Sequence, residues 1–184
     1  MIRARSSVVG WPSVLLSAVL ASACAPMQVR SYAPPEANVA AYRSYGWAGG
    51  DLGSTGDPRL DNNRFFVERV QQAADAELRR RGYEKASGSS PELMVHIHAR
   101  MNQRIQAGEI DPITGYCRDD CPASVFDEGT LLIDFVDART DALVWRGWAE
   151  RSLLEGVVDD QASMNQVIDK AVAAIFGRLP ARSL

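Results

Sequence analysis

The sequence predicts an α+β fold: a two-layer sandwich with a mainly antiparallel sheet of about four strands and two helices packed on one face, in the order β-α-β-β-β-α. Three observations predict it. Two segments, 61–81 and 161–178, carry apolar residues at helical spacing. Residues 93–101 alternate apolar with polar, the period of a half-buried strand. Residues 130–136 and 142–150 flank the turn sequence Asp137-Ala138-Arg139-Thr140-Asp141 and read as a hairpin.

The chain has 184 residues, enough for one domain with appendages. Residues 1–23 stay outside the fold argument. Arg3 and Arg5 precede an apolar stretch, interrupted by Pro12, that is too short for a comfortable membrane span. It ends in Leu20-Ala21-Ser22-Ala23-Cys24. Ala21-Ser22-Ala23 suits ordinary signal peptidase, and the same residues with Cys24 resemble a lipobox, whose cysteine takes the lipid. A lipobox usually carries Leu three residues before the cysteine, whereas Leu20 is four before it. Both readings cut before Cys24. The expectation is a lipidated Cys24; the alternative is a soluble secreted protein with a spare thiol. Ala25 after the cysteine favours the outer membrane, periplasmic face.

Cleavage removes two arginines and no acid, taking the net charge from −3 to −5 over 161 residues. That argues against nucleic acid and against electrostatic adsorption to an anionic surface. Two cysteines then remain, Cys117 and Cys121, and an even pair in an oxidising compartment reads as a disulfide. Redox motifs usually have two intervening residues, not three, and a zinc site would need two more ligands nearby.

Residues 24–40 are rich in Pro and Ala and read as the lipidated cysteine plus a flexible tether, leaving 41–180 as the domain. Residues 42–48, with Tyr42, Tyr45 and Trp47, suggest the first strand. The stretch 49–60 holds Gly49, Gly50, Gly53, Gly56 and Pro58 but no phosphate-loop ending, so it reads as a connection. In the first helix Asp61 is the expected cap, and Phe66, Val70, Ala74 and Leu78 form the buried stripe. Arg79, Arg80 and Arg81 suit the helix C-terminal dipole, with a binding patch as the alternative, and Gly82 ends the helix. A long polar connection, 104–127, carries the two cysteines. Asp159 or Asp160 caps the last helix, whose stripe is Met164, Ile168, Ala171, Val172, Ile175 and Leu179, with Pro180 as the stop.

In the hairpin, Leu131, Ile133 and Phe135 share one face and Leu132, Asp134 and Val136 the other. Trp145 and Trp148 fall on opposite faces. Asp134 is a carboxylate inside an apolar strand, and the expected partner is Arg146 across the hairpin. His96 and His98 share a strand face about 6.5–7 Å apart. With Asp134 they are weak metal candidates, the bland reading being two solvent-facing histidines. No motif for a catalytic nucleophile, a metalloprotease helix or a cofactor is present, so neither catalytic residues nor cofactors are expected. Met94, His96, Leu132, Val136, Val144 and Trp148 are expected on the sheet face away from the helices, a half-apolar patch that suits a partner. The alternative is that the tether or the 104–127 connection folds across it.

The segment Glu128-Gly129-Thr130-Leu131-Leu132-Ile133-Asp134-Phe135-Val136-Asp137-Ala138-Arg139-Thr140-Asp141-Ala142-Leu143-Val144-Trp145-Arg146-Gly147 resembles the hairpin of the domain of unknown function 4136 family, small bacterial lipoproteins. Tyr45-Gly46-Trp47 and Arg81-Gly82-Tyr83 match as well, and the resemblance covers about residues 41–178. It implies an envelope lipoprotein. The family has no established reaction, so no catalytic residue carries over. The expected function is a non-enzymatic binding or structural module docking another envelope protein. The alternatives are a periplasmic carrier of a small apolar or lipid-like ligand and, third, a metal- or redox-dependent enzyme.

Overall fold

The computed structural model describes residues 27–49, 52, 54–87, 90–108, 110–111, 113–117, 123–153 and 156–181. The leader 1–23, Cys24 and Cys121 lie outside the described residues. Six strands and two helices follow in order: β1 (Gln28–Tyr32), β2 (Ser44–Trp47), α1 (Arg64–Arg80), β3 (Glu84–Lys85), β4 (Leu93–Gln106), β5 (Ser124–Asp137), β6 (Leu143–Leu153) and α2 (Gln161–Phe176). The sheet order is β1-β6-β5-β4-β2-β3. The α+β sandwich is as expected, but the sheet has six strands rather than about four, and it is mixed: β2 runs parallel to both β3 and β4.

The two additional strands are edge strands. β1 lies in the Pro- and Ala-rich segment read as tether, yet it pairs antiparallel with β6 from Gln28↔Glu150 to Tyr32↔Arg146. Met27 and Val29 pack against the core, while Gln28 and Arg30 face water. Five residues between Pro26 and Pro34 are too few to shift the composition of the window around them. β3 has two residues, too short for any periodicity, and it enters the sheet because the β2–α1–β3 crossover brings it beside β2.

β4 and β5 are each 14 residues long and pair over their whole length, from Leu93↔Asp137 to Gln106↔Ser124. The predicted connection 104–127 therefore shrinks to 107–123. Asn102, Gln103, Arg104 and Gln106 break the apolar alternation, and cross-strand pairing keeps them extended regardless.

α1 is capped by Asn63, whose side chain accepts from the Phe66 N–H at 3.1 Å, rather than by Asp61. Asp61 instead accepts from the Thr55 N–H and hydroxyl at 2.6 and 2.8 Å, fastening the Gly-rich connection. The Thr55 carbonyl in turn accepts from the Met101 N–H on β4. Gly82, at φ +77°, ends α1 as expected. α2 is capped by Asp160, which accepts from the Ser163 N–H at 2.7 Å.

Both helices cover the sheet face that carries Leu131, Ile133 and Phe135. These pack in one cluster with Val70, Ala74 and Leu78 of α1 and Ile168, Val172, Ile175 and Phe176 of α2. Phe135, Trp145 and Phe176 form its aromatic centre, with centroids 5.1–6.2 Å apart. A smaller cluster of Leu60, Met101 and Leu153 continues the core toward the β4–β5 end.

The β5–β6 turn shows why its two aspartates are there. Asp141 sits at φ +55°, a conformation that short polar side chains tolerate. Asp137 accepts from the Arg139 and Thr140 N–H groups and from the Tyr42 hydroxyl at 2.8–2.9 Å. The Tyr42 bond and these backbone donors hold its carboxyl down to about 2. Because the folded pKa lies below the unfolded value of 3.8, the stabilisation is complete above the unfolded pKa and fades as pH falls toward 2. Asp137→Ala is therefore expected to lower the thermal midpoint by a constant amount above about pH 5, with the gap to the parent closing through the acid window. Parallel melting curves at stepped pH check it; a gap independent of pH down to the acid limit would contradict the assignment.

Candidate docking face

Strand pairing fixes what stands on the face away from the helices. One row runs His96–Asp134–Arg146 across β4, β5 and β6, and the next runs His98–Leu132–Trp148. Met94 lies opposite Val136 at the turn end. Met94, His96, Leu132, Val136 and Trp148 are all half-buried among the described residues.

Val144 is the exception and corrects the predicted surface. A bulge between Phe135 and Val136 puts two β6 residues opposite one on β5, so Phe135 pairs with Trp145 while Val136 pairs with Leu143. Simple alternation fails at that point. Val144 is 3% exposed and belongs to the core cluster with Trp145.

The expected Asp134–Arg146 pair is present and bidentate. Arg146 Nε donates to Oδ1 at 2.7 Å and Nη2 to Oδ2 at 2.6 Å. The carboxylate side chain is 7% exposed and the guanidinium 42%, so the acid is enclosed and the base reaches water. The carboxylate raises the Arg146 pKa further, securing the charge. His98 Nε2 stands 3.6 Å from Oδ2 of the same carboxylate. The His96 and His98 rings stack parallel with centroids 6.4 Å apart.

The three weak metal candidates thus do share one face. Arg146 already occupies both Asp134 oxygens, and among the described residues no group of three His, Cys, Asp or Glu side chains is arranged to hold a metal. The Cys117 backbone forms an isolated antiparallel β-bridge with Ile110 in the connection beyond β4. The Arg79–Arg81 run reads as structure at two of its three positions. Arg80 and Arg81 both pair with the buried Glu77, and Arg81 also donates to the Phe176 carbonyl at 2.9 Å.

Sequence reasoning missed a second polar cluster at the opposite end from the turn. Arg59 engages Asp57 and Asp159, joining the Gly-rich connection to the start of α2. The guanidinium holds the Asp57 carboxyl below its usual range. Asp57-x-Arg59 within the Gly/Pro stretch was the available signal, but its partner is 100 residues away.

Beneath the helices, Leu60, Met101, Gly129, Leu153, Met164 and Ala171 line an apolar cavity of about 50 Å³. Ligand pockets for small molecules run to roughly 300–1,000 Å³. Among the described residues no helix is long and apolar enough to cross a membrane.

These features define a two-layer α+β domain with a half-apolar, half-buried sheet face opposite the helices, centred on a closed ion pair. The chain belongs to the family described as Domain of unknown function (DUF4136), whose model matches residues 29–181. The match begins inside β1, consistent with that strand being part of the domain. No curated protein matches the sequence.

Among solved structures, the chain is similar to a PDZ domain protein from Parabacteroides distasonis, with TM-score 0.54 and 11% identity over 86% of this chain. It spans 37% of that protein's length, and the likeness shows a shared fold. A DUF4136 family protein from Bacteroides thetaiotaomicron aligns with TM-score 0.48 and 10% identity, over 80% of this chain and 94% of that one. A PelC dodecamer from Paraburkholderia phytofirmans aligns with TM-score 0.48 and 14% identity, over 86% of this chain and 100% of that one.

Proposed function

We propose that this protein is a non-enzymatic binding module of the bacterial envelope, lipid-anchored through Cys24 at the periplasmic side of the outer membrane. Its sheet face opposite the helices docks another envelope protein, and Cys117 and Cys121 form a disulfide in the β4–β5 connection. The observation that carries the reading is the face itself: Met94, Leu132, Val136 and Trp148 stay half-buried around a carboxylate whose acceptors are already taken. An apolar surface with a neutralised centre suits protein contact better than chemistry. The carrier alternative gains little from a cavity of about 50 Å³.

Photo-crosslinking in cells tests the docking. A photoreactive side chain at Leu132 or Trp148 is expected to give one discrete adduct, whereas Lys170, exposed on α2, gives none. Equal labelling from all three positions would remove the face from consideration.

A further inference from the structure

Seven large apolar side chains stand exposed among the described residues, and five of them lie between 105 and 125: Ile105, Ile110, Ile113, Tyr116 and Val125. Ile105 and Val125 are cross-strand partners near the end of the β4–β5 arm. They continue the row of Met101 and Gly129 past the point where the helices stop covering it. Beyond them the chain forms a defined turn. The Asp111 N–H donates to the Tyr116 carbonyl and the Gly115 N–H to the Asp111 carbonyl, both at 2.9 Å. Asp111 Oδ1 accepts from the Ile113 and Thr114 N–H groups. This turn holds Ile113 at 92% exposure and Tyr116 at 78%.

The direction of β1 says what lies on that side. β1 runs antiparallel to β6, with Tyr32 opposite Arg146 and Gln28 opposite Glu150. Following β1 backward therefore leads toward the end where β4 finishes and β5 begins. Cys24 is four residues ahead of Gln28, within about 14 Å of it by chain length. The row of Gln28 contains Glu150, Thr130 and Arg100, and Gln106 lies six residues further along β4, about 20 Å onward. The start of β1, four residues from Cys24, and the apolar arm thus lie toward the same end of the sheet, and the arm extends further than those four residues can span.

We infer that the β4–β5 arm is a membrane-docking element: Ile110, Ile113 and Tyr116, backed by Ile105 and Val125, enter the lipid surface that holds the N-terminal anchor. The orientation rests on the anchor reading above; the surface itself does not. Arg104, beside the arm, is paired with Glu128 at 2.8 Å, and the sequence 105–125 carries one cation, Arg118, against Glu109, Asp111, Asp119 and Asp120, so the contact is apolar rather than a basic patch on anionic lipid. The sheet face then stands upright on the bilayer, presented sideways to its partner.

Two measurements on the full mature chain test this, using vesicles of three parts phosphatidylethanolamine to one part phosphatidylglycerol. In the first, Ile113→Trp adds an indole, and its extra emission over the parent is expected to be quenched by brominated acyl chains. Extra emission that the brominated lipid leaves unchanged overturns the inference. In the second, the unacylated Cys24→Ser form is floated with the same vesicles. It is expected to bind, insensitive to high salt, and the triple change Ile110→Ser, Ile113→Ser, Tyr116→Ser lowers binding about tenfold. Equal flotation with and without the triple change overturns the inference, as does a triple change that alters only the sedimentation mass, which would assign the arm to a second copy of the chain. Intact mass reads the anchor separately. An acylated chain with an unquenched indole removes the arm and keeps the anchor, and an unacylated chain with arm-dependent flotation does the reverse.

Discussion

Gly147→Ala is expected to lower the unfolding free energy by about 3 kcal/mol, the upper part of the range for forcing a methyl group into a packed core. Gly147 faces the helices from β6, two residues after Trp145, and the indole lies across it. A Cβ there would meet Trp145 Cη2, stand 2.6 Å from Cζ2 and 2.7 Å from Ile175 Cγ2. The indole cannot retreat, because Phe135 and Phe176 hold its other sides with centroids at 5.1 and 6.2 Å. Trp145 is 1% exposed, and among the described residues its Nε1 has no hydrogen-bond partner. The ring is therefore placed by shape. Trp145→Leu should cost stability on its own, and combined with Gly147→Ala the total should fall well short of the sum, because the smaller side chain vacates the space the methyl needs. Urea unfolding of the four proteins gives the coupling; additive losses would mean the indole is not the obstacle.

The second large effect concerns Asp134. Removing one partner of a fully buried pair costs about 3–5 kcal/mol. Here Arg146 is 42% exposed, so water can partly reach the abandoned carboxylate, and about 2 kcal/mol is expected for Arg146→Met. Asp134→Leu combined with Arg146→Met should recover most of that loss, since the charge to be solvated is gone. Arg104→Met serves as the comparison. That guanidinium is 60% exposed against a Glu128 that is 22% exposed, and its loss is expected to cost about 0.5 kcal/mol or less. If Arg146→Met proves as mild as Arg104→Met, the enclosed carboxylate is not what the pair protects.

The two effects also mark what could be read from the sequence. Both residue pairs sit in the hairpin, where a two-residue period and an Asp-rich turn leave few alternatives. The Asp134–Arg146 pairing follows from a carboxylate inside an apolar strand and a cation at the matching position of its partner. The helix stripes are equally legible: Val70, Ala74 and Leu78 are each 0% exposed. What escaped depends on contacts the local pattern does not contain. Val144 changes sides because a single bulge shifts the alternation by one residue. β1 and β3 are too short to imprint a period and exist because β6 and β2 offer them an edge. The polar outer half of the β4–β5 arm is extended by pairing rather than by propensity. Of the candidate face, five of the six expected residues are where alternation put them. Arg59's role, by contrast, needed the three-dimensional proximity of Asp159.

β1 also has a mechanical consequence. It is the first strand among the described residues, and it lies along the sheet edge, paired with β6. A force applied at Gln28 along the strand axis acts parallel to β1. It loads the β1–β6 hydrogen bonds together in shear instead of peeling them one at a time. Five paired residues in that geometry resist a pull better than the same five unzipped, so the strand works as a strain relief between the N-terminus and the aromatic core. If it yields, the edge of β6 and the side of the apolar cluster at Met27 and Val29 open first, while the hairpin and both helices keep their contacts.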